Sequence, residues 1–414
     1  DFSNDWMDEF KLRFSLGQTG NSASGASLYL GSYASGNNYM DMSAITPSSM
    51  QLNKLKWETT TEYNTGLDAT FLKGKLRFTV DVYQKYVKDL LQPKVKMPTT
   101  IGYGNGYQIS YMNSGKMTNK GWEFRVDAVP FQNKDWRVGV YFNIAHNENK
   151  ITEMPDNYIE ENYTFGNGNY AYRREEGRPM GSFYGYRYKG VYQNKDATYA
   201  RDIEGNVMKD ISGNAIVMRN GSYTVAPGDA IYEDVNHDGV INQYDIVYLG
   251  NSNPRLTGGA GLNVSYKQFK LSAIFYGRYG QDVVNATRLN NESMRGIDNQ
   301  STAVLRRWRN EGDQTDIPRA LYGEGYNTLG SDRFVEDASY LRLKSLSFTY
   351  RLPKKAIQRW GFNNIDVYVT GYNLFTWTNY TGQDPEVKTE NTYAKDTATT
   401  PASIQLVAGF NLSF

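Results

Sequence analysis

The sequence predicts an all-β protein of the transmembrane antiparallel β-barrel class. Three observations carry that expectation. Apolar residues recur at every second position in one segment after another, the period that lines one face of a strand. Short turns alternate with long polar loops almost without exception, the asymmetry of outer-membrane barrels with small periplasmic turns and large external loops. Aromatic residues make up 14% of the chain. That is enough to furnish the girdles of such barrels, although sugar-binding surfaces use the same residues.

The tail shows the pattern most plainly. Phe410, Leu412 and Phe414 alternate with Asn411 and Ser413, and the sequence stops on an aromatic residue. An apolar edge strand templates aggregation, so such a strand is expected to pair into a closed sheet. Taken alone, the tail fits the last strand of a soluble sandwich equally well. The recurrence of its pattern upstream favours the barrel.

From the N-terminus, Leu12, Phe14 and Leu16 alternate with Lys11, Arg13 and Ser15, a strand. A Ser/Gly/Asn-rich loop fills Gln18 to Asn53. Glu58 to Leu72 is the next strand, and Lys73-Gly74-Lys75 turns it into Leu76, Phe78, Val80 and Val82. A loop runs from about Pro93 to Asn113. The clearest hairpin then sets Trp122, Phe124, Val126 and Ala128 against Trp136, Val138, Val140, Phe142 and Ile144 across Asn133-Lys134-Asp135. Its charged alternate residues require water or a polar lumen on the other face, and the two tryptophans read as anchors at one membrane boundary.

Alternation resumes weakly over Asn169 to Glu176 and returns through Phe183, Tyr184, Tyr186 and Tyr188. A polar insertion, 194–250, follows. Leu256 to Tyr266 and Phe269 to Arg278 form a hairpin over Lys267-Gln268. Residues 279–337 read as a second long loop, with helical pieces near Thr302 to Arg309. Ser339 to Arg351 and Ile365 to Leu374 are strands joined by an irregular or helical connector from Pro353 to Gly361. The sum is about twelve strands, an even number that starts and ends on the periplasmic side.

Composition excludes some functions. Lys and Arg total 45 against 44 Asp and Glu, a net charge of +1, so nucleic acid is not an expected partner. No run approaches the ~18 apolar residues of a membrane helix. Cysteine is absent, which removes disulfides and thiolate metal sites. The sequence opens at Asp1 with no export signal, as a mature segment or fragment would.

Several segments resemble the SusC/RagA family of TonB-dependent outer-membrane transporters of Bacteroidetes. These are Leu55-Lys56-Trp57-Glu58-Thr59-Thr60 with Gly66-Leu67-Asp68, and Asn119-Lys120-Gly121-Trp122-Glu123. So are Pro179-Met180-Gly181-Ser182-Phe183-Tyr184-Gly185-Tyr186, and Gly228-Asp229 through Asp234-Val235-Asn236-His237-Asp238-Gly239-Val240-Ile241. Gly250-Asn251-Ser252-Asn253-Pro254-Arg255 and Asn373-Leu374-Phe375-Thr376-Trp377-Thr378-Asn379-Tyr380 complete the series. Each is weak alone; six in family order are specific.

The resemblance implies that 1–414 is the C-terminal part of a plugged barrel of about 22 strands. A plug domain and TonB box are not identifiable in the sequence, and an N-terminal portion of the same protein would complete the cylinder. The resemblance further implies active import of a glycan oligosaccharide or oligopeptide, powered through TonB, ExbB and ExbD. A SusD-like lipoprotein would form the lid, membrane lipid would surround the wall, and two such pairs could dimerise. The competing reading is a barrel enzyme hydrolysing glycans or lipids at its external loops, but no catalytic constellation supports it.

One motif carries metal chemistry. Asp234, Asn236, Asp238 and Gly239 match the start of an EF-hand-type loop, with Ile241 two places beyond the glycine. Asp234, Asn236, Asp238, the carbonyl of Val240, Asn242 and Asp245 would offer oxygen ligands that suit a structural Ca²⁺. Asp in place of the usual terminal Glu reaches less far. An Asp/Asn-Gly turn without metal is the plain alternative.

Other candidates are weaker. His146 and His237 are too far apart in sequence to suggest a metal pair, and Glu160-Glu161 and Glu175-Glu176 read as solvated charge. Arg306, Arg307 and Arg309 read as an exposed basic face. Tyr103, Tyr107, Tyr158, Tyr163, Tyr170, Tyr172, Tyr322 and Tyr326 could stack on sugar rings or line a peptide path. No individual residue is assigned to substrate.

Overall fold

A computed structural model describes residues 6–22, 28–96, 100, 108–154, 168–171, 174–390 and 393–414. Its frame is one ten-stranded antiparallel sheet in which every strand pairs with its predecessor and successor within the set. We number these strands β1 Met7–Asn21, β2 Glu58–Phe71, β3 Leu76–Lys88, β4 Lys116–Gln132 and β5 Trp136–Glu153. They continue as β6 Leu256–Tyr266, β7 Phe269–Tyr279, β8 Tyr340–Arg351, β9 Asn364–Thr378 and β10 Gln405–Ser413. Among the described residues β1 and β10 are the edges of this sheet.

Among the described residues the sheet has ten strands, against the expected twelve. The run from Phe183 to Tyr188 and the described residues of Asn169 to Glu176 do not enter the wall; β5 pairs directly with β6. Ser182–Gly185 instead pairs with Val247–Asn251, and Tyr188–Val191 with Ala230–Tyr232. Phe183, Tyr184 and Tyr186 are all buried. A barrel strand turns alternate residues toward lipid or lumen, whereas burial on both faces belongs to the interior of a packed body.

Alternation sets the two faces of the wall. Phe10, Leu12, Phe14 and Leu16 of β1 are exposed on one face, level with Ala69, Leu67, Thr65 and Tyr63 of β2. The same face carries Val140 and Phe142, Leu271, Phe348, Val367 and Val369, and Phe410, all exposed. In water such a surface would aggregate; in hydrocarbon it is the expected exterior.

Aromatics bound this surface at both ends. Near the short turns Trp6 stacks on Phe71 at 5.6 Å, Trp136 meets Tyr266 at 4.3 Å and Phe269 stacks on Tyr350 at 4.9 Å. At the loop ends Tyr63 meets Tyr86 edge-on at 6.1 Å, Trp122 lies 6.0 Å from His146 and Phe275 lies 6.5 Å from Trp377. Trp122 and Trp136 therefore mark opposite boundaries, not one. Trp122 is registered with His146, ten residues above Trp136 on β5. Ten strand residues at roughly 3.4 Å each, tilted by about 40°, rise about 26 Å, the height of a barrel's apolar band.

The short connections lie at one end of the sheet and the long loops at the other, since consecutive antiparallel strands alternate direction. The β8–β9 connection is partly helical over Lys354–Ile357. The long loops contain the α-helix Ala286–Asn291 and a 3₁₀ segment at Thr302–Arg306.

Candidate functional site in the polar wall and external module

The second face of the wall is polar, and its charges are organised in pairs. Arg13 reaches Asp68 at 2.8 Å and Asp81 at 3.1 Å, tying β1, β2 and β3 together. Gly66 makes room for that crossing, because a Cβ there would lie 2.6 Å from the guanidinium carbon. Farther along, Lys85 pairs with Glu62 at 3.2 Å and Arg125 with Asp127 at 2.7 Å. The Arg125 guanidinium faces the Tyr141 ring at 5.9 Å, and that ring covers Gly261 of β6. Arg351 and Asp366 join β8 to β9 at 2.7 Å. Arg77, Arg125, Asp127, Tyr141 and Asn263 line a recess of about 530 Å³ at the short-turn end of this face.

At the loop end, Arg342 is buried. It binds Glu386 at 2.8 Å, Asp384 and the Thr376 hydroxyl at 2.8 Å. Lys344 adds a second bond to Glu386 at 2.8 Å. The last external loop is thus fastened to the polar side of β8. Burial pushes the Asp384 carboxyl up, but donation from the backbone N–H groups of Ala402 and Glu386 and from Arg342 outweighs it, and the group lies below its ordinary range. The sequence reading missed Arg342, Lys344, Asp384 and Glu386. Their pairing spans 42 residues, and no local pattern announces it.

The long loops after β5 and β7 pack together. Tyr184, Tyr186, Tyr192, Tyr232 and Ile241 from 168–255 share a core with Tyr326 and Leu329 from the following loop. Burial lifts the phenol of Tyr192 to about 12, so it stays neutral. Beneath it Asp229, fully buried, accepts from Arg319 at 2.7 Å, from the Tyr223 hydroxyl at 2.7 Å, from Asn327 at 3.2 Å and from the Ala226 N–H at 2.8 Å. Gly228 has φ +89° and lies flat against Trp308, where a Cβ would fall 2.2 Å from the ring. Arg333 and Arg288 bridge Glu292 and Glu336, and Glu336 accepts from Thr381, which links the third loop to this body.

An eight-residue repeat forms one corner of the module. Asp202 and Asp210 each accept from backbone N–H groups two and four residues on, closing two alike Asp-Ile-x-Gly-Asn turns. The repeat is visible in the sequence as Asp202 to Asn206 and Asp210 to Asn214, a signal the reading of 194–250 as one insertion passes over.

Residues 234–245 fold as a tight loop beside that repeat. Asp234 accepts from the N–H groups of Asp238 at 3.2 Å and Gly239 at 2.8 Å, and Asp238 accepts from Val240 at 2.8 Å. Asn236 donates to Asp238 at 2.9 Å. His237 and Gly239 have φ of 56° and 79°. Asp245 is buried and accepts from Val235 and Asn242, both at 2.8 Å. Asn242 caps the turn that follows by accepting from Tyr244 and donates to the Val240 carbonyl at 3.2 Å. Burial raises the Asp245 carboxyl, and the nearby charges of Asp234 and Asp238 raise it further. The twelfth-position carboxylate thus has both oxygens on backbone donors. Among the described residues no three acidic or histidine groups are grouped to hold a metal.

The tyrosines divide. Tyr170 and Tyr326 are buried, which removes them as stacking platforms, while Tyr322 is exposed. Tyr103, Tyr107, Tyr158, Tyr163 and Tyr172, with Glu160 and Glu161, lie outside the described residues. Glu175 and Glu176 are exposed, as are Arg306 and Arg309. His146 meets the Arg255 carbonyl at 2.6 Å and His237 the Arg201 carbonyl at 3.3 Å, each with its own backbone partner.

A wall with an apolar band between aromatic girdles, a charge-paired opposite face and an external module defines a segment of an outer-membrane β-barrel. The family model for the TonB dependent receptor-like β-barrel matches residues 2–374, and the chain belongs to that family of outer-membrane proteins. It is 32% identical over 346 residues to TonB-dependent receptor P3 of Formosa agariphila, covering 82% of this chain and 32% of that protein. It is 29% identical to the TonB-dependent receptor SusC of Bacteroides thetaiotaomicron, covering 99% of this chain and 38% of that protein. Among solved structures it is similar to the RagAB peptide transporter, with TM-score 0.72 and 27% identity over 100% of this chain and 42% of the matched one. It is a SusC/RagA-like barrel, and these relatives are receptors and transporters, not enzymes. The chain spans less than half the length of each of them.

Proposed function

We propose that this chain forms the C-terminal wall and much of the external vestibule of an importer for a large polar nutrient, an oligopeptide or a glycan oligosaccharide. Its likeness to the RagAB peptide transporter along its whole length supports the peptide. The single observation that carries the reading is the polar wall joined to the external module. Arg–carboxylate pairs run from Arg351–Asp366 to Arg342–Glu386 on one face, with apolar band on the other. Such a face offers donors and acceptors to a backbone or sugar without leaving a buried charge unpaired. A preceding part of the same protein would complete the cylinder, TonB with ExbB and ExbD would supply the energy, and a SusD-like lipoprotein would close the vestibule. Transport then follows from different affinities in the open and closed states. Deleting the gene and supplying peptide or glycan as sole nutrient tests this. Growth should fail on one class, and undiminished growth on both would remove the proposal.

The loop 234–245 belongs to the same reading as a structural Ca²⁺ site. Asp234, Asn236, Asp238 and the Val240 carbonyl supply hard oxygen donors, and Asp245 would complete the set by giving up its two backbone bonds. The ion would hold the loop against the repeat at Asp202 and Asp210. In the intact protein, chelation should raise proteolysis within 234–245, and D234N should abolish the difference. Equal cleavage with and without chelator would leave a metal-free turn.

A further inference from the structure

The lipid-facing side of the wall has a depression of about 550 Å³ in its upper part. Its floor is made of small residues on adjoining strands, Gly258 and Ala260 of β6 and Gly277 of β7. Gly258 and Gly277 lie so close to the next strand that an added Cβ would fall 2.6 Å from the Asn143 carbonyl oxygen and 2.7 Å from that of Tyr340. No larger residue fills the floor at either position without moving the wall. Phe142 stands on one side, and the stacked Phe275–Trp377 pair on the other.

Register fixes the depth of this depression. Leu256 is level with His146, which is level with Trp122, so Gly258 and Ala260 lie two and four residues inside the upper aromatic boundary. The depression therefore opens into the half of the apolar band nearest the external loops. Water does not fill an apolar groove in hydrocarbon, and an empty one forfeits the contacts of its lining. Ser339, Thr378 and Asn379 form a polar rim at the upper end.

We propose that this groove is a lipid site, holding one acyl chain of an outer-leaflet lipid whose headgroup meets the polar rim. An acyl chain suits a narrow apolar channel lined by Gly and Ala and flanked by rings. The polar end at the membrane surface suits a chain attached to a headgroup. A second copy of the barrel is the competing occupant.

The full-length protein, reconstituted in vesicles of phosphatidylethanolamine and phosphatidylglycerol and released into detergent, is examined by native mass spectrometry. The unaltered protein should retain one phospholipid. A260W, which fills the floor, should lower that occupancy at least tenfold, and A260L should lower it less. L67W, an equivalent outward change on β2, should leave it unchanged. Heat-modifiable migration on gels confirms that each variant is folded. Absence of retained lipid from the unaltered protein, or equal retention by A260W and L67W, overturns the proposal. So does a dimer mass that A260W alone abolishes, which would assign the groove to a second copy.

Discussion

Asp229 shows how much one side chain can decide. It is fully buried and takes four donors from three segments of the external module. Removing one charge of a buried pair strands the other. Asp229→Asn keeps the shape but leaves Arg319 without its counter-ion. It should cost the module about 3–5 kcal/mol, read as faster proteolysis and lower melting of the external region with the wall intact. An unchanged melt would mean that the aromatic core alone holds the loops. Gly228 beside it was legible only as part of a family motif. What it does, lying flat under Trp308 at φ +89°, depends on a ring 80 positions away that no local pattern connects to it.

At the scale of the element, strand alternation separates lipid from water one residue at a time. Val140 lies near the middle of the apolar band, and Asn143 is on the opposite face of the same strand. Val140→Arg should destabilise the wall by about 2–4 kcal/mol, while Asn143→Arg should change stability by no more than about 0.5 kcal/mol. Denaturant titrations in lipid vesicles compare them, and equal costs would contradict the assigned faces. The last external loop behaves differently, because its attachment titrates. The Asp384 carboxyl lies below its ordinary range in the fold. Its contribution is therefore complete above the ordinary carboxylate value of about 3.9 and is lost as pH falls through the lower folded value. Hydrogen exchange over 382–388 should stay slow down to that point and then accelerate, and Asp384→Asn should remove the step. A rise already complete near neutral pH would assign the anchoring to another group.

Across the whole molecule, the two faces of the wall, the alternation of short and long connections and the family all came from residues close together in sequence. So did most strand positions, because a period of two is a property of one strand and survives without its neighbours. Two strands were misplaced for the same reason. Phe183, Tyr184 and Tyr186 look like strand residues whichever sheet they join, and only the pairing of Ser182–Gly185 with Val247–Asn251 shows that they belong to the module. The metal motif was legible as a spacing, whereas the backbone bonds that occupy Asp245 were not. What the sequence by itself determined is where the chain is extended and which side of each strand meets hydrocarbon. Only the tertiary structure decided that the described wall has ten strands, that two of the long loops share one core, and that Arg319 and Arg342 meet their carboxylates 90 and 42 residues away. Periodicity is written locally, but contacts across such separations depend on how the chain closes and leave no repeating trace.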